Sequence, residues 1–248
     1  MLYIVFMIGV ILAAGMAKRL RPLTDECPKC LLKVGQRTLL QRTVDAVVEA
    51  GINELVVVTG YRNSMIEDFL KTNYPSLTIH FIDNPDYAHN NNIFSLWLTR
   101  PYTEGKDFLL LDSDILFDPA IIPAVIEKNG SVLALNRHEL GEEEIKVIVD
   151  DEECVKEISK VCSIQEAIGE SVGIEKITAD YSKSLFLELQ NMIVVEGLID
   201  VFYEKAFERL IPQGHTFKIV DTTDFFSIEL DTVEDFENAK KLIPANLY

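Results

Sequence analysis

Basic residues are scarce in this sequence. Lys and Arg number 23 against 40 Asp and Glu, a formal net charge of −17 over 248 residues. That sign excludes tracking a nucleic-acid backbone or adhering to an anionic leaflet, both of which need a positive face. Cysteine is sparse as well. Cys27, Cys30, Cys154 and Cys162 make no dense framework, and no second CxxC or HxxxH accompanies CPKC at residues 27–30 to complete a zinc site. The CPKC spacing leaves open redox chemistry or half a metal site beside the plainer reading, two incidental thiols flanking Lys29. His80, His89, His138 and His215 are scattered without metal-like or nucleophile-like spacing, and GxSxG is absent, so no covalent nucleophile is indicated. No repeat, low-complexity tract or Pro/Gly/Ser linker divides the chain. The opening run MLYIVFMIGVILAAG is too short to span a bilayer and lacks a basic signal-peptide start, so it reads as a buried strand. Met7 leaves residues 1–6 open as an extension before that strand. Without an export signal or a disulfide framework, a reducing cytoplasmic location is expected.

What is present is apolar material enough for a full core: 48% hydrophobic residues, consistent with one domain over residues 1–248. Strand-like runs alternate with helical patterns through the first half, the signature of a largely parallel sheet covered by helices. Strands are predicted at residues 8–13, 54–59, 77–82 and 108–111, with a helix over 39–50 ending at Gly51. Asp118 and Pro119 read as the N-cap and first residue of a helix reaching towards Gly130. Further strands are predicted at 131–135, 145–149 and 172–177, and helices at 181–191 and 198–211. Thr232 and Asp235 read as a capping box before VEDFENAKKL. The acidic run at 139–144 reads as a solvated loop.

Two segments carry chemistry. LAAGMAKRLRPLTDECPK, residues 12–29, follows the first strand directly. Its small residues Ala13, Ala14, Gly15 and Ala17 let backbone N–H groups approach an anion, and Lys18, Arg19, Arg21 and Lys29 supply charge that the rest of the chain lacks. That combination suits a triphosphate, although it is neither a GK[ST] P-loop nor a GxGxxG fingerprint. Asp112, Ser113 and Asp114 end a buried strand as a DxD, a place for hard carboxylate oxygens and Mg²⁺. A DxD also occurs in nucleotide-sugar glycosyltransferases.

The first segment resembles the nucleotidyltransferase family that includes sugar-1-phosphate and phosphocholine enzymes, with signature LAAGxGxRxxPxTxxxPK. Leu12, Ala13, Ala14, Gly15, Arg19, Pro22, Thr24, Pro28 and Lys29 match it. Ala17 departs, standing where the family usually has its second Gly. The resemblance implies an α/β, Rossmann-like fold with a central mixed, mostly parallel sheet. It implies that Leu12 to Arg19, with Met16 and Lys18 among them, hold the nucleotide: residues 15–19 on the β- and γ-phosphates, Lys29 on the α-phosphate. Lys29, Arg19 and Asp114 form the implied catalytic set. Asp114 is the implied Mg²⁺ ligand, Asp112 is secondary, and Asp231 of the late ELD motif is the second carboxylate, unless it merely precedes the Thr232 cap.

The stretch DYAHNNNIFSLWLTR, residues 86–100, resembles YxxxNNxxSLxL of phosphocholine and related cytidylyltransferases through Tyr87, Asn91, Asn92, Ser95, Leu96 and Leu98. Asn91, Asn92 and Ser95 are therefore expected near the nucleotide, with cytosine as the base, although Asn-rich turns also form without a ligand. The implied partners are CTP and a small phosphorylated acceptor, with no nucleic acid and no membrane. Phosphocholine or an aminoalkyl phosphonate comes first as acceptor, a polyol phosphate or sugar 1-phosphate second. Glu144, Lys146, Glu175, Tyr203 and Glu229 are expected around it, with Lys146 on its phosphate. Tyr87, Tyr181, Tyr203, Phe225 and Phe226 are candidates to face an ammonium. Phosphocholine enzymes offer a Trp where this chain has Glu143 or Glu144, and a carboxylate with a nearby Lys better suits a primary amine or hydroxyl. A sugar-phosphate nucleotidyltransferase, a DxD glycosyltransferase and a non-catalytic nucleotide-binding module are the alternatives.

Overall fold

The computed structural model describes residues 7–245 and residue 247, so the expectation for residues 1–6 lies outside the described residues. β1 (Ile8–Ala13) leads through a two-stranded ribbon, β2 (Lys33–Val34) and β3 (Arg37–Thr38), into α1 (Leu39–Glu49). Then follow β4 (Glu54–Thr59), α2 (Asn63–Asn73), β5 (Thr78–Asp83), α3 (Asn92–Leu98), α4 (Arg100–Thr103) and β6 (Phe108–Asp112). The helical crossovers force β5, β4, β1 and β6 to run parallel. The remaining elements are β7 (Ile115–Phe117), α5 (Ile121–Glu127), β8 (Val132–Asn136), β9 (Lys146–Val149), β10 (Val155–Ser159) and β11 (Gly169–Ile177). After them come α6 (Ala179–Gln190), α7 (Glu204–Leu210), β12 (Lys218–Asp221), β13 (Ser227–Glu229) and α8 (Val233–Leu242).

Nine strands form the main sheet in the order β10-β9-β11-β6-β1-β4-β5, with β8 on β11 and β12 on β8. β11 enters antiparallel to β6, β8 and β9, which makes the sheet mixed. Both faces are buried, which is why the central strands read as unbroken apolar runs. Val10, Leu12, Val56, Val58 and Leu110 face α3, α6 and α7, while the alternate residues Ile11, Val57, Leu109 and Leu111 face α1, α2 and α5. A third cluster, including Leu20, Val34, Leu116, Leu230 and Phe236, packs α8 against the segment after β1. The parallel strands all end on one edge, where Leu12 is level with Asp112.

Two helix expectations need correction. The chain at Asp118 and Pro119 is a turn in which Asp118 Oδ1 accepts from Ala120 N at 2.9 Å, and α5 starts only at Ile121. Residues 198–203 are not helical. Asn91 N–H donates to Ile199 O at 2.8 Å and Tyr203 N–H donates to Asn92 Oδ1 at 2.9 Å, tertiary bonds that take the place of a first helical turn. The sequence pattern does not mark α2, β10, β12 and β13, nor the short β2, β3, α4 and β7. The Thr232/Asp235 capping box is present as expected.

Candidate active site

A cavity of about 680 Å³ opens at the carboxyl ends of β1 and β6. Residues 12–19 form one wall. The loop is pinned from outside: Tyr61 N–H donates to Ala14 O at 3.0 Å, and Thr24 Oγ1 donates to Ala17 O at 2.9 Å. Tyr61 Oη lies 2.8 Å from Thr24 O, which holds the signature Thr in turn. Ala17 has φ 46° and ψ 55°. That left-handed conformation is the reason the signature has Gly there, and Ala holds it against the steric cost of its Cβ.

Asp114 follows β6, while Glu229 and Asp231 arrive from the far end of the sequence. They meet because β13 pairs antiparallel with β7, placing Glu229 opposite Ile115, and because Leu230 N–H donates to Asp114 O at 3.0 Å. Oxygens of Asp114, Glu229 and Asp231 lie within 4.8 Å of one another. Asp231 both precedes the Thr232 cap and belongs to this cluster. Lys29 Nζ is 3.0 Å from Asp114 Oδ2 and 2.7 Å from Asp231 Oδ1, and Arg19 also pairs with Asp231. Burial works against the Lys29 ammonium, but Asp114 and Asp231 outweigh it and hold its pKa above the ordinary value. These are hard oxygen donors converging on a point where the chain already places a cation, a set that fits Mg²⁺. Burial pushes the neighbouring Cys30 thiol up to about 12, so it stays protonated, and all four cysteines are free thiols.

Asn91, Asn92 and Ser95 line the cavity with Lys18, Arg19 and Lys29. Asn91 caps α3 through its own oxygen, and Asn92 and Ser95 accept from Tyr203 N and Asn84 Nδ2. Asn84 and Asn90, which no motif in the sequence singles out, also line the cavity and exchange amide bonds at 2.9 and 3.1 Å. Asp112 sits at the cavity base, its carboxyl raised well above the usual range by burial and then by Asp114 and Glu204.

The acceptor expectations divide. Glu144 and Glu229 line the cavity, but Lys146, Glu175 and Tyr203 do not. Lys146 is 1% exposed, and its Nζ is surrounded by the carbonyls of Glu142, Glu144 and Lys160 at 3.2, 3.3 and 2.7 Å. A buried ammonium so enclosed ties two loops together and cannot also reach a phosphate. Glu175 and Tyr203 lie behind the floor, where the Tyr203 hydroxyl is 3.1 Å from Asp112 Oδ2 and 3.3 Å from Glu175 Oε2. Tyr181 is buried between Phe207 and Phe217, and the half-buried Phe225 and Phe226 pack against core clusters away from the cavity lining, leaving Tyr87 as the candidate aromatic that faces the cavity. Lys160, Phe202, Glu204 and Glu170 line it instead and were missed, since no local pattern singles them out.

Comparison with known proteins agrees with this geometry. The sequence profile described as Nucleotidyl transferase matches residues 8–136, more than half of the chain. The CMP-5'-(3-aminopropyl)phosphonate synthase of Streptomyces rubellomurinus is 33% identical over 114 residues, 46% of this chain and 18% of that one. The choline-phosphate cytidylyltransferase of Streptococcus pneumoniae is 37% identical over 106 residues, 43% of this chain and 44% of that one. The matched segment thus spans less than half the length of either relative. A solved CTP:phosphocholine cytidylyltransferase from Streptococcus pneumoniae superposes with a TM-score of 0.78 at 21% identity, covering 96% of this chain and 100% of that one, and has the same Rossmann-like fold. The signature loop, the strand-end carboxylates and the profile match converge: the chain belongs to the nucleotidyl transferase family.

Proposed function

We propose that this chain transfers CMP from CTP to a small phosphate or phosphonate ester and releases pyrophosphate, with Mg²⁺ as cofactor. The observation that carries the reading is the Lys29 ammonium, buried and held charged between Asp114 and Asp231 beside the signature loop. In this reading the N–H groups of residues 15–19 and Arg19 bind the β- and γ-phosphates, and Lys29 donates to the α-phosphate. Asp114 and Asp231, with Glu229 alongside, would hold Mg²⁺, which when bound offsets the charge of the triphosphate. An acceptor oxygen attacks the α-phosphorus in line with the leaving pyrophosphate. A phosphate or phosphonate dianion already carries that nucleophile, so positioning and charge stabilisation suffice without a general base. Lys160, at the cavity wall where Lys146 was expected, is the cation for the acceptor's phosphate.

Cytosine is supported by the Asn91, Asn92 and Ser95 stretch at the cavity wall and by relatives named as CMP-transferring enzymes. The test is pyrophosphate release from CTP, UTP, dTTP and ATP with a panel of phosphomonoesters and phosphonates. CTP should give the highest kcat/KM, and excess EDTA or Asp114→Asn should abolish turnover. A higher kcat/KM for UTP, dTTP or ATP removes the base, and full activity in EDTA removes the metal.

A further inference from the structure

Glu204 opens α7 at the wall of the cavity and is only 6% exposed. Among the described residues, its Oε2 is buried with no hydrogen-bond partner. An ionised carboxylate oxygen in that position lacks what buried polar groups otherwise find, a donor. Its own backbone N–H favours the ionised carboxyl, but no donor among the described residues reaches Oε2. Lys160 is near enough to favour its ionised form, but Lys160 Nζ lies 3.3 Å from Glu143 Oε2 and 4.8 Å from the centroid of the Phe202 ring. Glu175 and Asp112 are acids, and the Tyr203 hydroxyl is engaged with both of them. Burial pushes the Glu204 carboxyl up to about 7, so a cationic donor arriving at neutral pH readily draws out the ionised form.

The same surroundings are poor for a cation without N–H bonds. A quaternary ammonium is held by aromatic faces. The rings lining the cavity, among the described residues, are Tyr87 and Phe202, and the face of Phe202 is already occupied by the chain's own Lys160.

We propose that Glu204 is the specificity-determining residue for the acceptor head group, and that this head group is an ammonium bearing N–H bonds, a primary amine rather than a quaternary ammonium. The proposal rests on the CMP-transfer reading above. The amine donates to Glu204 Oε2 while its phosphate or phosphonate end lies towards Lys160 and the reacting centre.

Purified protein with CTP and Mg²⁺ is assayed for pyrophosphate release with 2-aminoethylphosphonate and with its N,N,N-trimethyl analogue, and CTP binding is measured separately by calorimetry. The wild type should favour the primary amine by about tenfold or more in kcat/KM, because a site built around an unpartnered acceptor rejects the ligand that cannot donate to it. Glu204→Gln should lose most of that preference, chiefly through a raised acceptor KM, with CTP affinity within about threefold of wild type. Equal or better use of the trimethyl analogue by the wild type overturns the proposal while CMP transfer stands, and so does a Glu204→Gln variant that keeps the full preference. Absence of CTP binding by the wild type overturns both.

Discussion

At the residue scale, identity and environment part company. Two lysines from the sequence reading, Lys29 and Lys146, are both buried, yet one faces carboxylates at the cavity and the other faces carbonyls behind it. Lys29→Ala should lower kcat by about two to three orders of magnitude, the usual loss when a charge-stabilising donor leaves a reacting centre. Near-native turnover at saturating substrate would relieve Lys29 of that role. Glu175 makes a prediction about stability. Its carboxyl, fully buried, is pushed up to about 8 by burial and then by Glu204. The folded protein therefore keeps a proton that the unfolded chain releases. Glu175 favours the fold fully below the ordinary carboxylate range and loses that contribution as pH rises through about 8. Glu175→Gln, permanently neutral, should unfold with a flatter pH dependence, the difference in slope approaching about 1.4 kcal/mol per pH unit. Denaturant titrations across that range check it, and parallel curves for the two proteins would contradict it.

At the scale of elements, the site is made where strands stop. β1 and β6 end level with each other, β13 brings the second acidic group to β7, and the capping box starts α8 directly after Asp231. β11 crosses beneath them at Gly173, whose φ of +76° already disfavours a side chain. A Cβ there would lie 2.8 Å from Ile115 Cδ1 and 2.9 Å from Asp112 Oδ2. Gly173→Ala should therefore cost about 1–2 kcal/mol in backbone strain alone and displace the floor of the cavity, lowering both melting temperature and kcat. A variant with wild-type stability and turnover would show that the floor tolerates the shift. Element type was largely legible where an unbroken apolar run marked a buried strand, as in β1, β4 and β6, or apolar spacing marked a helix, as in α1. Boundaries failed at 118–120, where a local turn closed by Asp118 Oδ1 precedes the helix, and at 198–203, where hydrogen bonds to distant residues replaced the local helical ones.

At the scale of the whole molecule, the parallel strands and the segment after β1, joined by Asp231 from far along the chain, supply the proposed nucleotide side, and Lys160, Phe202 and Glu204 supply the proposed acceptor side. The two sides should then be separable in kinetics. Lys160→Ala is expected to raise the acceptor KM by about tenfold or more while the CTP KM moves by less than about threefold, since a lost ground-state contact to one substrate appears in that substrate's KM. A parallel rise in both would place Lys160 on the nucleotide. Charge follows the same division of labour. In a chain of net charge −17, Lys18, Arg19, Lys29 and Lys160 line one cavity, which is where an anionic substrate needs them. No helix among the described residues is long and apolar enough to cross a membrane.

The sequence by itself determined the α/β class and marked the signature loop at residues 12–29, the strand-end carboxylates Asp112 and Asp114, and the Asn-rich stretch as candidates. Each of these is a contiguous pattern whose meaning is set by backbone neighbours. Tertiary structure alone decided that Ala17 adopts the left-handed conformation, that Lys146 closes a loop, and that Glu175 and Tyr203 stand behind Asp112. It also brought Lys160, Phe202 and Glu204 to the cavity wall. Those roles depend on which groups arrive from distant strands and loops to exclude water or to offer a partner, and sheet pairing across the chain, rather than local spacing, sets that arrival.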